Sequence, residues 1–274
     1  MTLGIDIGGT TISLGLVNES RVVSKVQVPS FPANASQNET LEYLEACISD
    51  ILVPEVTRIG IGVPSVTDPV KGIVYNAVNI PSWDIVPLKE RLERRFHLPV
   101  SVNNDANCYA LGASLFTGLA EMLVAVTLGT GTGVGIISDG ELLCGPHCGA
   151  GEIGSLPYLG QDYESFCSKK FFHAKGVSPR KVADDAAAGD PEALSFYRDF
   201  GHHLGEFLSV VLFAYDPNRI VLGGGISHSF PLFRDAMWET LRCRYPYAAT
   251  LEDLEILALP DSDVALVGAA ALNS

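Results

Sequence analysis

The sequence predicts an α/β chain built from two units of similar plan. Two strand-rich blocks, opening at Leu3 and at Met122, are each followed by segments whose apolar residues recur at helical spacing. A glycine-rich turn joins the first strands of each block, at Gly8-Gly9 and again at Gly129 to Gly133. The two halves share no register-perfect repeat, so the duplication is one of architecture.

The elements follow in order. Leu3 to Ile7, Thr11 to Val17 and Arg21 to Val28 are short apolar runs separated by Gly8-Gly9 and Asn18-Glu19-Ser20, which predicts three antiparallel strands. Leu41, Leu44, Cys47, Ile48 and Ile51 fall at three- and four-residue spacing after Asn38 and predict a helix. Arg58 to Val63 is a strand stopped by Pro64, Leu88 to Phe96 a helix, and Pro99 to Asn103 the next strand. Ala106 to Phe116 is helical and marks a crossing between the units. Met122 to Leu128 and Val134 to Ser138 form a hairpin. Pro191 to Tyr215 is a long helix, Arg219 to Leu222 a strand entering Gly223-Gly224-Gly225, and Asp235 to Tyr245 a helix. Leu254 to Leu259 is the last strand and Asp263 to Asn273 the last helix.

Composition narrows the function classes. With 47% hydrophobic and 18% charged residues, the 274-residue chain is neither disordered nor a charged scaffold. Its formal net charge is -14 and it has no basic tract, so a nucleic-acid partner is disfavoured. Small anions stay open, because backbone amides hold phosphate even in an acidic protein. The start MTLGIDIGG lacks the charged and apolar regions of a signal peptide, and no apolar run is long enough to span a bilayer. The six cysteines, Cys47, Cys108, Cys144, Cys148, Cys167 and Cys243, are widely spaced. Free thiols in a reducing cytoplasm are the simplest expectation.

The glycine turns are the first chemical signal. Gly8, Gly9, Thr10 and Thr11 combine backbone that a ligand can approach closely with hydroxyls that bind phosphate oxygens. Asp6, just before them, is of the type that holds a divalent cation through water. No Gly-Lys-Ser/Thr follows, which excludes a Walker loop, and a strand follows where a dinucleotide fingerprint needs a helix. Gly129, Thr130, Gly131, Thr132 and Gly133 offer the same chemistry between two strands. Either turn also reads as a plain hairpin connection. Gly223, Gly224 and Gly225 suit a flat ring lying on backbone, or an ordinary strand-to-helix turn.

A polar constellation is the second signal. Asn103, Asn104, Asp105 and Asn107 lie between a strand and a helix, where polar residues face the crevice of α/β folds. Asp105 is the candidate proton acceptor from an alcohol, and Asn104 a candidate to orient it. One of Asn103, Asn104 and Asp105 also caps the helix. Glu152 and Glu164 are candidate acceptors for neighbouring hydroxyls, with Glu164 open to a solvated helix-end role. Pro64, Ser65 and Asp68 end a strand where they can meet the same ligand. Asn79 to Trp83 is a rigid loop whose tryptophan either lines a pocket or packs on the core. Cys144, His147, Cys148 and Cys167 lack a CxxC pair, and His202-His203 is not part of an HExxH motif, so zinc is not expected.

Together these segments resemble the ROK family of sugar kinases and transcriptional repressors, within the actin, hexokinase and sugar-kinase superfamily. The matching pieces are DIGGTTISLGL (6–16), GVPSVTD (62–68), NIPSW (79–83), NNDANCYALGA (103–113) and TLGTGTGVGI (127–136). They continue with GAGEIGS (149–155), YES (163–165), PNRIVLGGGIS (217–227) and GAAAL (268–272). The resemblance implies a two-lobed actin-like ATPase fold, ribonuclease H-like, with a cleft between lobes. Its first lobe would cover residues 1–112, completed by a C-terminal helix at about 262–274, and its second 113–261. It implies transfer of the terminal phosphate of ATP to a hexose, typically at the 6-hydroxyl. It also implies Asp105 as the base, Asp6 beside Mg²⁺, Asn104, Glu152 and Glu164 as sugar ligands, and the two glycine turns as phosphate grips. Gly223 to Gly225 would form part of the adenosine wall.

Two departures from the family pattern matter. Ser155 stands where many members carry a histidine, and 156–162 lacks the cysteines of the family's zinc loop, which implies a zinc-free branch. Ser155 then joins the sugar-facing set. A homodimer is implied by the resemblance alone. The rivals are a ROK-type transcriptional regulator and a non-catalytic sugar sensor. The chain has no room for the regulator's winged DNA-binding domain, and a sensor is expected to have lost Asp105 or the glycine turns, which this chain keeps.

Overall fold

Apolar runs cut by tight turns set the first strands, and the computed structural model describes them with the rest of residues 1–272 except Val78, Leu119 and His147. The chain divides into two units, Met1–Leu119 with Leu142–Ala150 and Ser262–Ser274, and Ala120–Glu141 with Gly151–Asp261. The first unit runs β1 (Thr2–Ile7), β2 (Thr11–Asn18), β3 (Arg21–Pro29), α1 (Gln37–Ile51), β4 (Arg58–Val63), β5 (Val66–Asp68) and β6 (Ile73–Tyr75). It continues with β7 (Ile85–Val86), α2 (Leu88–Phe96), β8 (Val100–Asn104) and α3 (Asp105–Thr117). The second holds β9 (Met122–Leu128), β10 (Thr132–Ser138), the first residue of the two-residue β11 (Glu141–Leu142), β12 (Pro157–Tyr158), β13 (Gln161–Asp162), α4 (Tyr163–Cys167) and α5 (Lys169–Ala174). Then come α6 (Pro179–Ala187), α7 (Pro191–Tyr215), β14 (Arg219–Gly223), α8 (Phe230–Arg244), α9 (Ala248–Asp253) and β15 (Glu255–Ala258). The last helix, α10 (Asp263–Ala271), returns to the first unit.

Each unit is organised on a five-stranded sheet of one plan. The orders are β3-β2-β1-β4-β8 and β11-β10-β9-β14-β15. In the first, β1 pairs antiparallel with β2 and parallel with β4, and β4 pairs parallel with β8. In the second, β9 pairs antiparallel with β10 and parallel with β14, which pairs parallel with β15. The first core gathers Leu3, Ile5, Ile12, Leu44, Ile61 and Trp83, and the second Val124, Ile136, Phe172, Phe200, Phe207 and Phe233. No described helix is long and apolar enough to cross a membrane.

Local chemistry sets the helix ends. Ser36 and Glu39 form a capping box at the start of α1. Asp190 accepts from the Ala193 amide ahead of Pro191, which begins α7, and Asp216 ends that helix in the left-handed region. Helix α8 begins at Phe230, ahead of the expected Asp235, because Pro231 suits a first turn. Pro99 stays outside β8, but its carbonyl accepts from the Ile59 amide at 2.9 Å. The division drawn on the sequence at residue 112 falls inside α3, whereas 113–119 and 142–150 group with the first unit. The expected end of the last helix at Asn273 lies outside the described residues.

Helix α10 packs at unusually short range because glycines face it. A Cβ added at Gly60 of β4 would lie 1.9 Å from the Ala269 carbonyl oxygen. One added at Gly268 would lie 1.7 Å from the Cys108 carbonyl oxygen and 2.6 Å from the Gly112 amide nitrogen of α3. These are backbone atoms, so no side chain can swing aside. Arg58 Nη2 donates to the Ala270 carbonyl at 2.9 Å, and Lys25 pairs with Asp263 at the start of the helix. Gly268→Ala is therefore expected to destabilise the protein by about 3 kcal/mol or more, read as a lower denaturant midpoint. An unchanged midpoint would show that α3 and α10 can separate freely.

Candidate active site

In the first unit the parallel strands β1, β4 and β8 end side by side. Their register sets Asp6 against Gly62 and Gly62 against Asn103, so the three stand in one row at about 5 Å per step. Asp105 follows on α3, with its Cα 3.4 Å from where a Gly62 Cβ would sit. Burial pushes the Asp6 carboxyl up to about 6 from its ordinary 3.8. The Cys108 thiol is raised first by burial and then by the charges of Asp6 and Asp105, which puts both carboxylates within electrostatic reach of one buried sulfur.

The β1–β2 turn is held from outside. The Gly8 amide donates to the Thr11 carbonyl at 2.9 Å, and Ser30 donates its hydroxyl to the Gly8 carbonyl at 2.8 Å. Thr10 and Thr11 remain exposed. The Asn79 side chain lies against Gly9, with Cγ 3.3 Å from where a Cβ would be. Trp83, at the other end of that loop, is a core residue. It is 1% exposed, packs on Phe31 and donates from Nε1 to Thr40 Oγ1 at 2.7 Å.

The Asn103–Asn107 cluster is an amide network. Asn104 is the cap of α3, accepting from the amides of Ala106 and Asn107 at 2.9 and 3.3 Å. Its Nδ2 donates to the Ser65 carbonyl at 3.2 Å, so both ends of this amide are engaged within the fold. Asn103 Oδ1 accepts from the Asn104 amide at 2.8 Å and from Asn107 Nδ2 at 2.9 Å. Both asparagine Nδ2 atoms also reach Cys144 Sγ at 3.8 Å. The Ser65 hydroxyl donates to the Tyr75 carbonyl. Beside Pro64 and Ser65 a cavity of about 500 Å³ is lined by Thr67, Asp68, Tyr75 and Cys148. The Thr67 hydroxyl is buried without a partner.

In the second unit the Gly129–Gly133 turn divides by chemistry. The Thr132 amide donates to Glu164 Oε2 at 3.0 Å and its hydroxyl to the Cys167 carbonyl at 2.9 Å, so neither is spare. The Gly129 amide donates to Gly131 at 3.0 Å. Thr130 is exposed, and a Cβ on Gly129 would meet nothing within 4 Å. Glu164 also pairs with Lys170. Glu152, in a single 3-10 turn that ends at Ser155, is raised by desolvation and then by the charge of Glu164, so the two carboxylates face one field. Gly223 ends β14 and Gly224 has φ 77°, with the Leu128 carbonyl oxygen 2.5 Å from a Cβ position. Gly225 is open on the same measure.

Sequence reasoning did not single out Ser30 or Lys170, because each acts by touching a distant segment. His202 and His203 both face neighbours, Thr240 at 2.9 Å and Tyr158 at 3.1 Å. Among the described residues no three His, Cys, Asp or Glu side chains are grouped to hold a metal ion, and His147 lies outside those residues. A magnesium ion needs no such cage, since one carboxylate with water and phosphate oxygens suffices. Asp6, half-buried and with no side-chain hydrogen bond among the described residues, fits that use.

A model of the ROK family matches residues 2–171 and 159–274. The chain is 29% identical to a glucokinase of Thermotoga maritima over 98% of this chain and 96% of that protein. It is 29% identical to an N-acetyl-D-glucosamine kinase of Pasteurella multocida over 99% of both. A ROK family glucokinase from Streptomyces griseus, solved with glucose and AMPPNP, superposes with a TM-score of 0.84 at 27% identity, over 98% of this chain and 97% of that one.

Two outcomes follow. Between its ordinary pKa and about 6, Asp6 binds more protons in the folded than in the unfolded state, so stability falls as pH rises through this window. Asp6→Asn is expected to raise the unfolding free energy at about pH 7 by up to about 3 kcal/mol, read as a higher thermal midpoint, with the gain shrinking below about pH 6. An equal or lower midpoint at neutral pH would mean the carboxylate has a favourable partner. Gly129→Ala has open space around it, so its stability is expected to change by less than about 1 kcal/mol, read as a nearly unchanged thermal midpoint.

Proposed function

The chain belongs to the ROK family, and from that premise we propose that it is a sugar kinase transferring the terminal phosphate of ATP to a hexose, at the 6-hydroxyl. The observation that carries the reading is the row at the ends of β1, β4 and β8, where a buried Asp6 and the first residue of α3, Asp105, both lie beside Gly62 and Cys108. The names of the relatives, which are kinases of glucose and of N-acetylglucosamine, support the same reaction class.

In this reading Asp105 accepts the proton of the attacking hydroxyl. The Asn104 cap and the Asn103–Asn107 amide pair fix the first turn of α3, and with it the Asp105 backbone. Glu152 and Glu164 accept hydrogen bonds from sugar hydroxyls, and Ser155, exposed beside them, leaves room at the ring. Within the first unit, Asn79 and the Pro64-Ser65 backbone are the candidate sugar contacts. The amides of Gly9, Thr10, Thr130 and Gly131 donate to phosphate oxygens, and such contacts strengthen as charge moves during transfer. Mg²⁺, held through Asp6, supplies neutralisation of phosphate charge when bound. The open backbone at Gly225 accommodates a flat ring.

Asp105→Asn keeps the shape and loses the base. Its kcat is expected to fall by about 10²–10⁴-fold with nucleotide affinity nearly unchanged, whereas Glu152→Gln is expected mainly to raise the half-saturation constant of the sugar. The assay is ADP release with Mg-ATP over a panel of hexoses and N-acetylhexosamines. A folded Asp105→Asn protein keeping more than about a tenth of wild-type turnover would remove Asp105 from the base role.

A further inference from the structure

The second unit holds a cavity of about 410 Å³ that the reaction above does not use. Its lining includes Gln161 from β13, Phe166 from α4, Lys170 and Phe171 from α5, Lys175 just beyond it, and His203 from α7. The volume lies in the range of small-molecule sites. One wall is aromatic. The His203 ring lies 4.8 Å from Phe166 and 5.6 Å from Phe171, centre to centre. The Tyr158 hydroxyl holds His203 Nδ1 at 3.1 Å, which fixes the imidazole plane.

The rim is cationic in a chain whose net charge is -14. Lys170 and Lys175 each expose about half of their side chains, at 51% and 40%. Lys175 sits over the Phe171 ring at 4.7 Å and lies 3.6 Å from Asp199. Lys170 reaches the other way, to Glu164. Gln161 adds a side-chain amide, which both donates and accepts. The set is a ring-sized apolar wall, a hydrogen-bonding edge and two ammonium groups.

We propose that this cavity is a second small-molecule site that binds a phosphorylated sugar. The C–H face of the pyranose packs on Phe166 and Phe171, a hydroxyl meets Gln161, and the phosphate lies between Lys170 and Lys175. Two ammonium groups suit a dianion better than a single carboxylate. The site also has a route to the rest of the second unit. Lys170 cannot serve the phosphate and Glu164 equally, and Glu164 holds the Thr132 amide of the glycine turn. Occupancy therefore loosens Glu164 and weakens sugar binding, a feedback by the class of molecule the reaction makes. This last link rests on the sugar-kinase reading, whereas the binding site does not.

The test uses the full chain and glucose 6-phosphate as probe, titrated by calorimetry into wild type, Lys175→Glu and Ala174→Trp. Both variants alter exposed positions at the cavity and leave the proposed catalytic groups intact. Both are expected to weaken one binding event by about tenfold or more and to keep kcat within about twofold of wild type. In wild type the probe is expected to raise the half-saturation constant of the sugar, and Lys175→Glu to lose that effect. Wild-type binding in both variants overturns the site. Equal affinity for inorganic phosphate, or tighter binding of benzoate at the same Lys175-dependent site, overturns the sugar-phosphate assignment. If no sugar in the panel is phosphorylated but the variants still lose the probe, the kinase reading fails and the site stands. If a sugar is phosphorylated and the variants bind like wild type, the reverse holds.

Discussion

The first unit depends on the approach of α10 to glycine backbone. A helix normally keeps a neighbour at side-chain distance, about 8–10 Å between axes. At Gly60, Gly112 and Gly268 that spacer is missing, and carbonyl oxygens lie where Cβ atoms would be. The contact ties β4, α3 and α10 into one layer. It matters for chemistry because α3 carries Asp105 on its first turn and β4 carries Gly62, the middle of the row that ends at Asp6 and Asn103. A shift of α3 away from the sheet would move the proposed base relative to the carboxylate row. Packing at one end of the helix therefore sets geometry at the other.

The two sheets share a strand order but use their glycine turns differently. The first turn is braced through carbonyls, by Ser30, and keeps Thr10 and Thr11 exposed. The second is braced through an amide and a hydroxyl of Thr132, which removes two donors from the phosphate-binding set read from the sequence. The carboxylate that takes the amide is Glu164, itself a candidate sugar ligand. In the second unit, then, a proposed sugar ligand and the proposed phosphate-binding turn are joined by one hydrogen bond.

Much of this was legible in the sequence where a physical signal is local. Arg58–Val63, Leu88–Phe96, Met122–Leu128 and Pro191–Tyr215 were bounded as observed, because apolar periodicity there meets Gly, Pro or a capping side chain at one end at least. The strands Val66–Asp68, Ile73–Tyr75 and Ile85–Val86 are too short to show a period, and went unread. Helices α4 and α5 are split at Ser168, whose side chain accepts from the Lys170 amide and starts the second while the first is barely a turn old. Among the candidate residues, the cap at Asn104 was foreseeable from its place before α3. The engagement of its Nδ2 by Ser65, like the grip of Lys170 on Glu164, depends on where other segments fold back, and no window of sequence contains both partners.

The return of α10 also has a temporal side. The glycine-lined surface of β1, β4 and α3 is translated first, and the helix that covers it emerges only after the second unit's segments have left the ribosome. At bacterial and eukaryotic elongation rates that interval is on the order of ten seconds. During it most of the second unit is made, with β15 preceding α10 by only a few residues, while the first unit holds apolar strands and bare backbone open to solvent. The early half is thus begun first and yet closed only by the last helix, and a nascent-chain chaperone would find a binding surface on the N-terminal unit.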